Sequence, residues 1–160
     1  MQKLLGQRNT KKERLNAETE RSPRMNYMLD AGAYAPEKAH NTDAGYDLRS
    51  RDTILIMPED SAVFDTGVHI QIPHGWCGLL VSKSGLNTKH NMTSTGLVDE
   101  GYTGSIRVKL YNHGSDPYMI REGDKISQLV LLPYGTFDMT EVDELDETER
   151  GDNGFGSTGR

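Results

Sequence analysis

An all-β subunit is the fold class this sequence predicts, and three observations carry the prediction. Helical periodicity is weak after residue 24, short β-branched or alternating runs recur in its place, and glycine or proline turns separate those runs at close intervals. Many short strands so spaced suggest a sandwich, jelly roll or barrel. With 34% apolar residues in 160, the core must come from short dense runs rather than long amphipathic helices.

The elements follow in chain order. Strands are expected in RMNYMLD, DTILIM, SAVFDTGVHIQIP, WCGLLVS, GSIRVKLYN, YMIR and DKISQLVLLP, with breaks at Pro58, Pro73, Pro117 and Pro133 and at the turns PHG, NHG and REGD. SGLNTKH reads as one short helix, with Ser84 as cap and Leu86 as anchor. After Pro133, TFDMTEVDELDETE reads as a strand followed by an exposed acidic linker, and RGDNGFGSTGR has too little apolar surface to enter a core. The expected organisation is an N-terminal extension over 1–24, a β core over 25–135, the acidic segment 136–149 and a flexible glycine-rich C-terminal tail over 150–160. No internal repeat is visible.

Charge and composition narrow the function. Residues 1–24 hold seven Lys/Arg against three Glu, whereas the remaining 136 residues carry 11 basic and 21 acidic side chains. So acidic a body makes a general nucleic-acid surface unexpected, and the basic head reads as a solvated arm. No run approaches the ~18 apolar residues of a membrane span, and the N-terminus lacks the apolar centre of a secretory signal. A single cysteine, Cys77, excludes an intramolecular disulfide framework, and an intracellular, cytoplasmic setting is expected. The five histidines show no pair at metal-ligand spacing on a helix, and DELDETERGDNG lacks the ligand alternation of a calcium loop.

Several stretches have the chemistry of a site, and each also has a plain structural reading. In GFGSTG the glycines let backbone N–H groups converge on an anion while Ser157 and Thr158 add hydroxyls, and Phe155 could cover a flat ring; a Gly/Ser terminus without structure has the same composition. Arg150 and Arg160 could add charge for phosphates. SKSGL places Lys83, Ser84 and Gly85 directly after an apolar strand, which suits an anion or an ordinary capped turn. In TGLVDEGYTG, Asp99 is a carboxylate able to take a proton from water, beside Tyr102, yet turns favour Asp and Gly for conformational reasons alone. Asp47 in NTDAGYDLRS raises the same question. Gln128, an amide in the apolar run ISQLVLL, needs partners, either backbone or a site, and backbone is the reading favoured from the residue alone.

Taken in order, these stretches resemble the five motifs of the trimeric dUTP diphosphatase (dUTPase) family: AGYDL at 44–48, SKSGL at 82–86, GLVDEGYTG at 96–104, GDKISQLVLLP at 123–133 and RGDNGFGSTG at 150–159. The resemblance spans about Met25 to the C-terminus. It implies a jelly-roll-like subunit, a homotrimer with sites at subunit boundaries, and hydrolysis of dUTP to dUMP and diphosphate with Mg²⁺ held by the substrate phosphates and water rather than by protein ligands. Asp99 matches the residue that activates water for attack on the α-phosphorus. Tyr102 matches the tyrosine under the deoxyribose. The segment from Thr93 through Gly96, Leu97 and Val98 matches the reader of uracil. Lys83, Ser84, Gly85 and Gln128 match phosphate contacts, with Asp47 in support. Arg150 would meet phosphates, Phe155 would stack on uracil, and Gly156, Ser157 and Thr158 would close over the outer phosphates. One departure stands out: the usual motif-two arginine is Lys83, which keeps the charge but loses the planar fork. Two other functions compete. A dCTP deaminase of the same fold resembles a chain with a glutamate on the strand after motif three, where Lys109 stands here, and a non-catalytic dUTP-binding regulatory module would need no intact Asp99.

Overall fold

The computed structural model describes residues 24–151. Ten strands and one helix form it: β1 (Asn26–Leu29), β2 (Gly45–Arg49), β3 (Ile54–Ile56), β4 (Ser61–Asp65), β5 (Val68–Gln71), β6 (Trp76–Ser82), α1 (Ser84–His90), β7 (Met92–Val98), β8 (Arg107–Asn112), β9 (Tyr118–Ile120) and β10 (Lys125–Pro133). A six-stranded sheet runs in the order β2-β10-β6-β7-β8-β4, and two-stranded ribbons β1-β5 and β3-β9 accompany it. All named strand pairs are antiparallel, as the jelly-roll-like all-β reading requires.

Alternation fixes which face is inside. Along β8, Arg107, Lys109 and Tyr111 point to solvent while Val108, Leu110 and Asn112 are buried, the period of two expected of a half-covered strand. Phe64, Leu48, Ile56, Val68, Leu129 and their neighbours from both ribbons and the main sheet make one continuous core. The sheet curls at β7. Met92 to Ser94 pair with Asn112 to Leu110, whereas Thr95 to Val98 pair with Val81 to Gly78, so the strand changes partner partway along its length. Three serines pin the crossover: Ser82 Oγ donates to the Ser94 carbonyl at 3.1 Å, Ser94 Oγ and Ser127 Oγ share a hydrogen bond of 2.9 Å, and Ser127 Oγ also reaches the Val81 carbonyl at 3.0 Å.

Several expectations are corrected. AGYDL, read as a turn, contributes the edge strand β2. Met92–Val98 is a full strand. The run 61–73 is two strands, divided where Gly67 takes φ 65°. Ser84 is not the cap of α1: Lys83 occupies that position without a side-chain capping bond, and Ser84 opens the first turn. Leu86 does anchor the helix by packing against the core. No strand forms in 136–149, where Phe137, Met139 and Leu145 stand fully in solvent.

Candidate active site

β6 is the ruler on which the candidate residues are arranged. Its far end runs into Lys83 and the α1 corner, while its near end, at Gly78, lies opposite Val98 and the turn that follows. From Gly78 to Lys83 the strand rises roughly 16 Å. Within one chain, the expected site residues therefore fall into two groups rather than one.

At the far end Asp47 is buried, with 2% of its surface exposed. Lys83 Nζ meets its Oδ1 at 2.8 Å, Lys125 Nζ meets its Oδ2 at 2.7 Å, and Gln128 Nε2 donates to Oδ1 at 3.2 Å. Gln128 thus bonds to a side-chain carboxylate and not to backbone, which corrects the expectation drawn from the amide alone. Burial works against the charge on Asp47, but the hydrogen bonds from Lys125 and Lys83 outweigh it and hold the carboxyl below its ordinary value. Glu37 extends the network to Arg49 and, at 3.5 Å, to Lys125, and Arg49 donates to the Gly123 carbonyl at 2.7 Å. Ser84 and Gly85 lie exposed beside this cluster. Three cations against two carboxylates leave a positive balance at a surface with free hydroxyl and amide donors, which suits a polyanion.

Lys125, Arg49 and Glu37 were not singled out from the sequence. Lys125 and Gln128 are three residues apart, so a regular strand would send them to opposite faces. A bulge between Lys125 and Ser127 resets the alternation and brings both to Asp47. The only signal in the sequence was their shared place in GDKISQ.

At the near end a cavity of about 230 Å³ is lined by Leu80, Gly96, Leu97, Val98, Asp99, Tyr102, Ile106 and Arg107. The Tyr102 amide donates to the Asp99 carbonyl at 3.1 Å, closing a tight turn over 99–102, and the Tyr102 hydroxyl donates to the Ser105 carbonyl at 2.8 Å. The Asp99 residue is exposed and its carboxylate accepts no hydrogen bond among the described residues, so it faces solvent. Gly96 packs closely, since a Cβ there would lie 3.2 Å from Leu80 Cδ1 and the leucine side chain would have to give way slightly. Thr93 does not line this cavity. It sits before the partner change in β7, its hydroxyl 2.9 Å from His113 Nε2.

Glu100 had no assigned role, yet it has the strongest set of contacts in this turn. Its Oε1 lies 2.8 Å from His74 Nδ1, and its Oε2 accepts from the Gly75 amide at 2.7 Å and from the Tyr134 hydroxyl at 2.8 Å. The His74, Tyr134 and Gly75 bonds together lower its carboxyl to about 2. On the other flank, His69 Nδ1 meets the Thr103 carbonyl at 2.9 Å, and Ser105 Oγ donates to Asp65 at 2.5 Å.

Arg150 is the last of the expected site residues within the described region; Phe155, Gly156, Ser157 and Thr158 lie outside it. Among the described residues no group of three or more His, Cys, Asp or Glu side chains could hold a metal ion, and no helix is long and apolar enough to cross a membrane.

Comparison with known proteins agrees with this geometry. Residues 32–159 match the family model described as dUTPase. The deoxyuridine 5'-triphosphate nucleotidohydrolase of Clostridium novyi is 44% identical over 130 residues, covering 79% of this chain and 92% of that protein. A solved structure of the Staphylococcus bacteriophage 80alpha dUTPase with dUPNHPP superposes with a TM-score of 0.81 at 32% identity, covering 87% of this chain and all of that one. A dUTPase from phage phi11 of S. aureus, described with a structural Mg(II) ion, matches at a TM-score of 0.71 and 32% identity, over 76% of this chain and 98% of that one. The motif order, the curled antiparallel sheet and these relatives converge: the chain is a member of the dUTPase family, a family of hydrolases.

Proposed function

We propose that the protein hydrolyses Mg·dUTP to dUMP and diphosphate, with water activated by Asp99 attacking the α-phosphorus. The observation that carries the proposal is the Asp99 carboxylate, unpaired and solvent-facing, on the wall of a cavity bounded by the β7 backbone and Tyr102. A carboxylate so placed accepts a proton from water as the nucleophile forms. Backbone groups of Gly96, Leu97 and Val98 read the uracil edge, where a thymine methyl would crowd the strand, and the Tyr102 ring packs under a deoxyribose and rejects a 2′-hydroxyl.

The triphosphate lies against the other group. Lys83, Ser84, Gly85 and Gln128 contact its oxygens, and Asp47 holds the Lys83 ammonium in place between uses. Mg²⁺ bound to the substrate phosphates would spread their charge, and Lys83, Ser84, Gly85 and Gln128 would meet the remaining oxygens, so few protein carboxylates are needed as metal ligands. Most of the rate then comes from positioning and charge neutralisation. Because the base end and the phosphate end of one chain are separated along β6, a complete site takes its base end from one subunit and its phosphate end from another in a homotrimer. The segment 150–160 acts as a lid, with Arg150 on the phosphates, Phe155 over uracil and Gly156, Ser157 and Thr158 over the outer phosphates.

The test is a substrate panel of dUTP, dCTP, dTTP and UTP with Mg²⁺, read for diphosphate and for ammonia. Diphosphate from dUTP alone is expected; ammonia from dCTP would identify a deaminase, and no product at all a binding module. Asp99→Asn should bind dUTP but turn it over at least about 100-fold more slowly, and near-normal turnover would overturn the assignment.

A further inference from the structure

We infer that Glu100 is a positioning residue that fixes the 99–102 turn, and so the aim of the Asp99 carboxylate, by clamping it to the β5–β6 turn and to the end of β10. The inference rests on the assignment of Asp99 as the water-activating group.

Glu100 differs from its neighbours in how it is held. Asp99, Gly101 and Tyr102 are exposed, whereas Glu100 is half-buried and spends both carboxylate oxygens on three partners from two other parts of the chain. The partners are themselves joined, since the Tyr134 amide donates to the Gly75 carbonyl at 3.0 Å. The result is a closed knot of turn, turn and strand end. A tight turn on the surface is otherwise free to rock, because three of its four residues are glycine or border one and none enters the core. With the side chain directly after Asp99 pinned at three points, the Asp99 Cα has little freedom, and the carboxylate sweeps only its own rotamers.

Aim matters more than affinity here. Base and phosphate contacts are made by the β7 backbone and by the far end of β6, neither of which Glu100 touches. Tyr102, the sugar contact in the same turn, keeps its own tie from its hydroxyl to the Ser105 carbonyl at 2.8 Å, so loosening the Glu100 end displaces the water-activating group relative to the α-phosphorus more than it weakens binding. Misplacement by about 1 Å costs up to roughly 100-fold in rate; a turn that still samples the right geometry part of the time costs less.

The experiment measures kcat and KM for dUTP in Glu100→Ala, Glu100→Gln and Tyr134→Phe, each alone and combined with Asp99→Asn, with melting curves to confirm folding. Glu100→Ala should lower kcat on the order of tenfold with KM changed by less than about twofold. Glu100→Gln keeps an oxygen for the Gly75 amide and a donor for His74, and should recover most of that loss. In the Asp99→Asn background the loss should disappear, because a residue acting only through Asp99 has nothing left to position. Wild-type kcat in Glu100→Ala, with Asp99→Asn slow, overturns the clamp alone. An undiminished tenfold loss in the double variant also overturns it, by showing an effect that bypasses Asp99. Normal turnover by Asp99→Asn itself overturns the catalytic assignment and the clamp together. Should Glu100→Ala fail to fold, Tyr134→Phe decides: a loss of about threefold that vanishes with Asp99→Asn supports the clamp, and an unchanged kcat overturns it.

Discussion

Single side chains decide the electrostatics at both ends of β6. Asp47 is buried between two ammonium groups, so Lys125→Met leaves it with Lys83 and Gln128 only; the expected cost is about 1–3 kcal/mol, read from chemical denaturation. Glu100 has its carboxyl lowered from an ordinary 4.5 to about 2 by His74, Tyr134 and Gly75. A lowered carboxyl stabilises the fold fully above its unfolded value and loses that contribution as pH falls through the folded one. The stability gap between wild type and Glu100→Gln should therefore be constant above pH 4.5 and close as pH falls toward 2; a gap that ignores pH would show that the charge is immaterial. Placement was legible where one motif held both residues, as at Asp99 and Tyr102, which line the same cavity. It was not legible at Lys125, whose facing depends on a bulge, or at Glu100, whose partners come from 25, 26 and 34 positions away.

At the level of elements, β6 stands within the main sheet and has a group of candidate residues at each of its ends. Gly78 is the tight point: a Cβ there would come within 2.7 Å of Leu129 Cδ1 and 3.2 Å of Ile72 Cδ1 and Val98 Cβ. Gly78→Ala should cost about 1–3 kcal/mol through overpacking, seen as a Tm lower by roughly 3–10 °C, and should disturb the cavity beside Val98. Strands rich in Val, Ile and Leu were visible in the sequence because their apolar runs are continuous or alternate. β2 and β7 were hidden by Gly45, Asp47, Ser94 and Gly96, residues that weaken a strand signal yet are demanded here by close packing and by the buried polar contacts of the crossover. The segment 136–149 failed in the opposite direction. Its alternating apolar residues look like a strand, but within one chain no sheet edge receives them, and they remain exposed. Deleting residues 151–160 should leave a folded protein with little turnover; full activity in the truncated chain would remove the lid from the mechanism.

For the whole molecule, the all-β class followed from turn spacing and short runs, while the order of the sheet did not, since β2 pairs with β10 across half the chain, Asp47 lying opposite Gln128 81 positions away. Such pairing is written in long-range complementarity, which local pattern does not encode. The assembly prediction belongs to this scale. If a site combines the Asp99 end of one subunit with the Lys83 and Gln128 end of another, two inactive variants, Asp99→Asn and Gln128→Ala, should restore activity when unfolded, mixed equally and refolded together. Random mixing makes about a quarter of the sites intact at both ends, so turnover near a quarter of wild type is expected. Mixtures as silent as their parents would place the whole site on one chain.

The separation of the two ends along β6 also bears on how such a protein can change over evolutionary time. Under the proposed function, the triphosphate grip and the nucleobase reader lie at opposite ends of one strand, and either could alter without rebuilding its counterpart. Descendants selected for a different base should accumulate their substitutions between 96 and 107, while the stretch from 82 to 85 and the bulged start of β10 drift little. In the proposed trimer, subunit contacts would then join inherited halves into a new enzyme, as interchangeable heads fit one handle.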